Sequence, residues 1–386
     1  MKKSGRLYLV FSFCMSMAPN DPVALPHALS VLLIITGTAA WIWKIVSETY
    51  TIKERIWQAG LLGLGVMSGY FGGHLGPLLC VMVMLGLKDV RVRCVLGMMV
   101  GIEAFAFLIH GKDLLMSFAG GEAPGYYENR RVFGLWNISD QYRHFWGSLH
   151  PDEAQKILCC ASVIGCCINR KKLKVWHIAV ITLVNVGVYF LTLCNTGIMV
   201  WLLSAAILVY LIKIKTVPDA VLAAGPYLYL TMVAAVLIIS ALYEPDNAFM
   251  AFVNRAVTGR IRWAHDYLYA TGLSLWGRSL STEVIYKGLD CGYMNFLLNY
   301  GCILFVLYVA GVFCAIKKLA REKRYEDLLI ICFLQLYFTV ESFMLVIWMN
   351  AAYLYISEVL FMPNHRQMEE SLGEGYKDKR RYSMPE

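Results

Sequence analysis

The chain is laid out as apolar runs, several long enough to cross a bilayer, separated by short clusters of lysine and arginine. Val175–Leu193, Val221–Tyr243 and Gly292–Ile316 are the clearest runs, each reaching or passing the ~18 apolar residues that read as a membrane span. In hydrocarbon a segment must satisfy its own backbone, so each run is expected to be a helix. The same reading extends to His27–Lys44, Ile56–Tyr70, Leu75–Leu87, Val95–Ile109, Glu153–Ile168, Thr196–Ile212, Asp327–Val340 and Phe343–Met362, with Leu7–Ala18 at the start. The expected fold is all-α, a polytopic transmembrane helix bundle of about twelve spans with partly helical extracytoplasmic loops. Residues 1–362 form one integral membrane domain, and 363–386 a polar cytoplasmic tail whose composition predicts disorder.

Composition supports this class. Hydrophobic residues make up 58% of the chain and charged residues 16%, too little polar surface to keep a soluble protein dispersed. The net charge of +8 is spread over short clusters between apolar runs, the pattern that encodes topology, so no nucleic-acid partner is expected. The twelve cysteines lie mostly within apolar runs. They read as small apolar filler, with no metal, cofactor or outer disulfide expected.

Orientation follows from the positive-inside rule. With the N-terminus inside, the clusters at Lys2–Arg6, Lys53–Arg55, Lys88–Arg93, Arg170–Lys174, Lys213–Lys215, Lys317–Arg324 and Lys377–Arg381 all fall on the cytoplasmic side. The two long loops, 111–152 and 244–291, fall outside. The expected location is the plasma membrane, multi-pass, with both termini cytoplasmic. The first apolar segment also resembles a signal peptide; retention as a first helix is the favoured reading.

The polar residues that could carry chemistry lie mostly in the outer loops. Arg260, Arg262, His265 and Asp266 fall within two helical turns, where a surface helix would gather several of them on one face. Arginine forks suit phosphate oxygens, and His265 or Asp266 could accept a proton from a hydroxyl. A basic helix gripping anionic headgroups would look the same. In the first loop Arg143 and His150 precede Pro151 and Asp152, a sequence that also reads as a helix cap with Asp152 near its start. Asp290 and Tyr293 stand at the entry of the next span, and Glu341 interrupts the last apolar stretch, where an acid is costly and a functional candidate by default.

These residues, in this order, resemble the O-antigen and capsular polysaccharide polymerases (Wzy family), which are related to the O-antigen ligases. Gly147-Ser-Leu-His150-Pro151-Asp152 is similar to that family's Gly-Phe-x-His-Pro-Asn element, and Thr192-Leu-Cys194-Asn195-Thr196-Gly197 to its Thr-x-Ser-Arg-Thr-Gly hairpin. Thr258-Gly259-Arg260-Ile-Arg262 with Leu275-Trp-Gly277-Arg278 resembles the start of its large outer loop. Leu289-Asp290-Cys-Gly-Tyr293 with Tyr300-Gly301 resembles its Asp-x-x-Tyr element, and Glu341-Ser342 with Asn350 its closing helix. The likeness covers residues 130–360. Asn195 stands where the family has Arg, and Asp152 where it has Asn.

The resemblance implies a GT-C-like fold and metal-independent glycosyl transfer at the outer membrane face. A growing glycan on undecaprenyl pyrophosphate would be the donor and a lipid-linked repeat unit the acceptor. The product would be O-antigen, capsular or exopolysaccharide. Arg260, Arg262, Arg278 and Arg143 would stabilise the leaving pyrophosphate, with His150, Tyr293 and Glu341 as further substrate contacts. His265 is the first choice for the base, ahead of Asp290 and Asp266. A flippase and a chain-length regulator are expected partners besides membrane lipids. An O-antigen ligase would share the fold and differ in acceptor. A transporter or flippase for lipid-linked sugars would favour internal repeats and midplane charges, neither of which stands out.

Overall fold

A computed structural model describes residues 3–18, 25–120, 125–132, 136–146, 150–280 and 288–361. The described residues are helical apart from one hairpin and the connecting turns. Helices α1 (Lys3–Met17), α2 (His27–Ser47), α3 (Ile52–Gly72), α4 (Gly76–Gly86) and α5 (Val92–Ala119) lead to strands β1 (Gly125–Val132) and β2 (Trp136–His144). There follow α6 (Pro151–Asn169), α7 (Val175–Thr192), α8 (Asn195–Ile214) and α9 (Asp219–Ala241). Two short helices, α10 (Ala248–Ala256) and α11 (Arg260–Thr271), occupy the second long loop. The chain then forms α12 (Gly292–Tyr300), α13 (Cys302–Arg321), α14 (Tyr325–Tyr337) and α15 (Ala352–Phe361).

Among the described residues, six helices are long and apolar enough to cross a membrane: α2, Val92–Met116 of α5, α7, α8, α9 and α13. Their outward faces are themselves apolar. Leu32 and Trp43 on α2, Leu183 and Phe190 on α7 and Leu228 on α9 are all exposed, a belt that water would not tolerate. Inside, α1 is part of the core: Tyr8 and Phe11 are fully buried, and the Tyr8 hydroxyl donates to the Val83 carbonyl of α4 at 2.9 Å. Eight of the twelve cysteines are buried and all are free, as small fillers would be.

The structure departs from the sequence reading in four places. The run Gly292–Ile316 is two helices, because Gly301 adopts φ +89° between them. A Cβ at Gly301 would lie 2.4 Å from the Leu275 carbonyl oxygen, and one at Gly277 2.1 Å from that of Asn299. Only glycine permits this backbone-to-backbone approach. The outer segment around 274–278 is thereby stitched to the break: Arg278 N donates to Asn299 O and Cys302 N to Ser274 O. The last apolar run is helical only over α15. Residues 338–351 form turns, in which Asn350 satisfies freed backbone by donating to Met344 O at 2.7 Å and accepting from Ala352 N. Third, α5 continues past residue 109 into the first loop, holding Leu114 buried. Fourth, that loop contains an antiparallel hairpin where an all-α fold with partly helical loops was expected, with Tyr126 opposite Arg143 and a register shift between Glu128 and Arg130. Trp146 anchors its end, stacking on Phe107 and donating to the Phe107 carbonyl at 2.8 Å. The tail 363–386 and the Gly147-Ser-Leu element lie outside the described residues.

Candidate functional site

Four elements converge at the bundle end that holds both long loops. Helix α11 contributes Arg260, the segment before α12 contributes Asp290, α6 contributes Lys156, and the turn after α14 contributes Glu341. Arg260 Nη2 donates to Glu341 Oε1 at 2.7 Å, and Arg260 Nε stands 3.7 Å from Asp290 Oδ2. Lys156 Nζ lies 3.5 Å from Glu341 Oε2. Arg260, Lys156 and Glu341 are nearly buried, while Asp290 is half exposed. Buried as it is, Arg260 Nε makes no hydrogen bond.

Glu341 is held between two cations, one at each carboxylate oxygen. Burial raises the Asp290 carboxyl above its usual range, opposed by Arg260 and Lys156 and reinforced by Asp152. Chemically the cluster offers two held cations, one with an uncommitted donor, beside a half-exposed carboxylate that takes up protons more readily than an ordinary aspartate.

The helical period decides which of the α11 candidates reach this cluster. Arg260 shares its face with Ala264 and Tyr267, both buried. Arg262, two residues on, points the opposite way. It is 65% exposed and pairs at 3.7 Å with Asp266, one turn along. Of the four residues of which several were expected on one face, Arg262 and Asp266 share the outward face, while Arg260 turns in toward the cluster. His265 faces α9, with Nδ1 3.1 Å from the Ser240 carbonyl oxygen and its ring against Tyr243 and Tyr269. A carbonyl only accepts, so Nδ1 carries the proton in this contact.

The remaining candidates are dispersed. Tyr293 is fully buried and its hydroxyl donates to Gln335 inside the bundle. Arg278 is exposed and donates to the Thr271 carbonyl. His150 caps α6 two residues earlier than Asp152 was expected to, its Nδ1 accepting from Asp152 N at 3.3 Å, with Pro151 at the first helical position. It lies close enough to the cluster to lower the Asp290 carboxyl. The side chain of Arg143, on β2, lies outside the described residues. Asn195 opens α8, and its Oδ1 accepts from the Tyr189 hydroxyl at 2.9 Å.

Sequence reasoning passed over Lys156 and Glu103. Both sit within expected spans, and the rule that flagged Glu341 would have flagged them too. Glu103 is fully buried in α5 and neither of its carboxylate oxygens has a hydrogen-bond partner.

Beside the ionic cluster opens a cavity of about 720 Å³. Its walls are the α3–α4 turn at His74, the face of α12 carrying Asn295 and Asn299, and the segment from Ser342 to Val346. Gly292 and Ser342, which line it, adjoin the segments that carry Asp290 and Glu341.

Compared with protein-family models, characterised proteins and solved structures, the chain matches none.

Proposed function

We propose that the chain is a membrane glycosyltransferase that polymerises lipid-linked oligosaccharide repeat units into O-antigen, capsular or exopolysaccharide. In this reading the bundle crosses the membrane twelve times. Helices α1 to α9 are nine spans, α12 with α13 the tenth, α14 the eleventh and residues 338–361 the twelfth. Both termini are cytoplasmic and both long loops lie outside, which puts the Arg260 cluster at the outer face.

The observation that carries the reading is the Arg260 guanidinium, nearly buried at the loop-bearing end of an apolar bundle with its Nε unsatisfied beside Asp290. A pyrophosphate oxygen is the kind of acceptor that completes such a donor. The acceptor hydroxyl attacks the donor's anomeric carbon and the bond from that carbon to the pyrophosphate oxygen breaks. Lipid pyrophosphate leaves with its charge held by Arg260 and Lys156. The hydroxyl proton passes to Asp290. This assigns the base to Asp290 rather than to His265, whose ring is held against α9. Lys156 supplies a second cation on the Glu341 carboxylate; Asn195 is the position where the resembling family carries Arg. The cations are the chain's own, so transfer persists in excess EDTA.

The test is polymer length on a gel, made by purified protein in nanodiscs from a lipid-pyrophosphate-linked repeat unit. Arg260→Gln is expected to lower transfer about 10²–10³-fold. Arg260→Lys should lose most activity too, since an ammonium cannot reproduce the fork. Near-normal polymer from Arg260→Gln at normal expression would end the assignment. Topology is tested by labelling a cysteine at position 281 in a cysteine-free background. Labelling only after permeabilisation would overturn the orientation.

A further inference from the structure

The cavity beside the ionic cluster contains no part of that cluster. Among the described residues that line it there is no lysine, arginine, aspartate or glutamate. What lines it is His74, Asn295, Asn299 and Ser342 together with the rings of Phe296, Tyr300 and Phe343. A lipid chain would leave the amides dry and unpaired. A phosphate would find no cation among the described lining residues, and the first donors of the two helices that begin there are spoken for. Gly76 N donates to His74 Nδ1 at 3.2 Å, and Gly292 N to Phe338 O at 2.9 Å.

The polar groups are held in place yet keep spare capacity. Asn295 Nδ2 donates to the Leu289 carbonyl at 3.2 Å, and Asn299 Nδ2 donates to Asn295 Oδ1 at 3.3 Å. Asn299 Oδ1 accepts from Leu280 N at 3.2 Å. An amide has two N–H donors and two lone pairs, so each side chain is oriented by protein and still offers a donor and an acceptor. The His74 ring is fixed in the same way. Its Nδ1 accepts from Gly76, so the neutral ring carries its proton on Nε2, which contacts the Tyr300 hydroxyl. Nε2–H donates to that oxygen, and the Tyr300 hydroxyl hydrogen remains free for an acceptor in the cavity.

Paired donors and acceptors beside aromatic faces, without net charge, match vicinal hydroxyls and the apolar face of a pyranose ring. The volume is within the ~300–1,000 Å³ of small-molecule sites. We propose that this cavity, walled by His74, Asn295, Asn299, Tyr300 and Ser342, is a binding site for a neutral saccharide. On the glycosyltransferase reading, on which this role rests, it holds the acceptor sugar against Asp290.

Binding is measured without catalysis, by saturation-transfer NMR on the full-length protein in nanodiscs. The probes are maltotriose, di-N-acetylchitobiose, glucuronate and inorganic pyrophosphate. The ring protons of at least one neutral sugar should receive saturation. Ser342→Phe fills the mouth from an exposed position, and Tyr300→Phe removes a single hydroxyl. Each should weaken binding about tenfold, the equivalent of one lost hydrogen bond or more, with thermal unfolding unchanged. Arg260→Gln should bind the sugar as before while losing transfer. No signal from either neutral sugar overturns the proposal, as does a signal that survives both cavity variants or one stronger for glucuronate. Sugar binding in a protein that never polymerises would leave this site standing and remove only the polymerase reading.

Discussion

The two ends of the bundle carry ionic clusters of similar composition and opposite character. At the end where α13, α14 and α15 meet, Arg324 donates from Nε to Asp327 at 2.7 Å and from Nη1 to Glu358 at 2.6 Å. Tyr355 completes Asp327 at 2.9 Å, and Lys318 takes the Glu358 carbonyl at 2.8 Å. Nearby, Arg170 meets Glu326 at 2.7 Å, and the fully buried Lys44 reaches Glu48 at 2.7 Å. Among the described ion pairs of the loop-bearing end, only Arg260–Glu341 is this short. Lys156 and Asp290 stand at 3.5 and 3.7 Å from their partners. A network whose arginine nitrogens are all taken, as those of Arg324 are, has none left to give a ligand and serves to fix helices. An open one keeps donors in a low-dielectric site where a ligand's oxygens gain most from them.

The largest effect expected from this contrast concerns the base. Asp290→Asn should lower transfer about 10²–10⁴-fold, whereas His265→Ala should keep it within about tenfold. The pH profile carries the sign. A base works deprotonated, and burial raises the Asp290 carboxyl. Transfer by the wild type should therefore fall as pH drops through a value above the usual ~3.9 of aspartate. Normal polymer from Asp290→Asn, with none from His265→Ala, would return the base to His265.

Next are matched substitutions at the two ends. Lys156→Met should cost about 10²–10³ in turnover and leave the unfolding temperature close to that of the wild type, since Arg260 still pairs Glu341. Arg324→Gln strands two carboxylates and should cost about 3 kcal/mol of stability, with transfer per folded molecule nearly unchanged. Thermal unfolding in nanodiscs and turnover together read both. The reverse pattern would break the division between an architectural end and a reactive one.

Much of this arrangement was legible in the sequence, and the gaps have physical causes. Hydropathy located the helices because lipid leaves a backbone no other choice. It could not see the break at Gly301, since a glycine contributes little to hydropathy whether it is helical or at φ +89°. Arg260, Asp290 and Glu341 were each identifiable as costly charges near apolar runs. Their convergence was not, because 81 residues separate Arg260 from Glu341. Lys156 is hidden by its surroundings: it follows Asp152, Glu153 and Gln155 at the polar start of a short span, so it does not stand out as Glu341 does. The hairpin of β1 and β2 was obscured for the opposite reason. Its polar sequence reads as connection, and only cross-strand pairing gives it shape.

The smallest expected effect is the one that separates sequence proximity from spatial role. Arg260 and Arg262 are two residues apart, and the motif alone treats them as a pair. A helix rotates them by about 200°, which buries one and leaves the other exposed beside Asp266. An exposed pair of that kind contributes between zero and about 1 kcal/mol, and screening weakens it further in salt. Arg262→Gln should therefore unfold within a degree or two of wild type and polymerise within about threefold of its rate, against the far larger loss for Arg260→Gln. If the two variants lose transfer equally, α11 must turn or unwind when substrate binds, bringing Arg262 to the pyrophosphate. A charge-swapped double variant, Arg262→Asp with Asp266→Arg, distinguishes the causes. It keeps the helix-surface pair while removing the cation from position 262, so activity restored by the swap assigns Arg262 to stabilising α11, and activity still absent assigns it to the substrate.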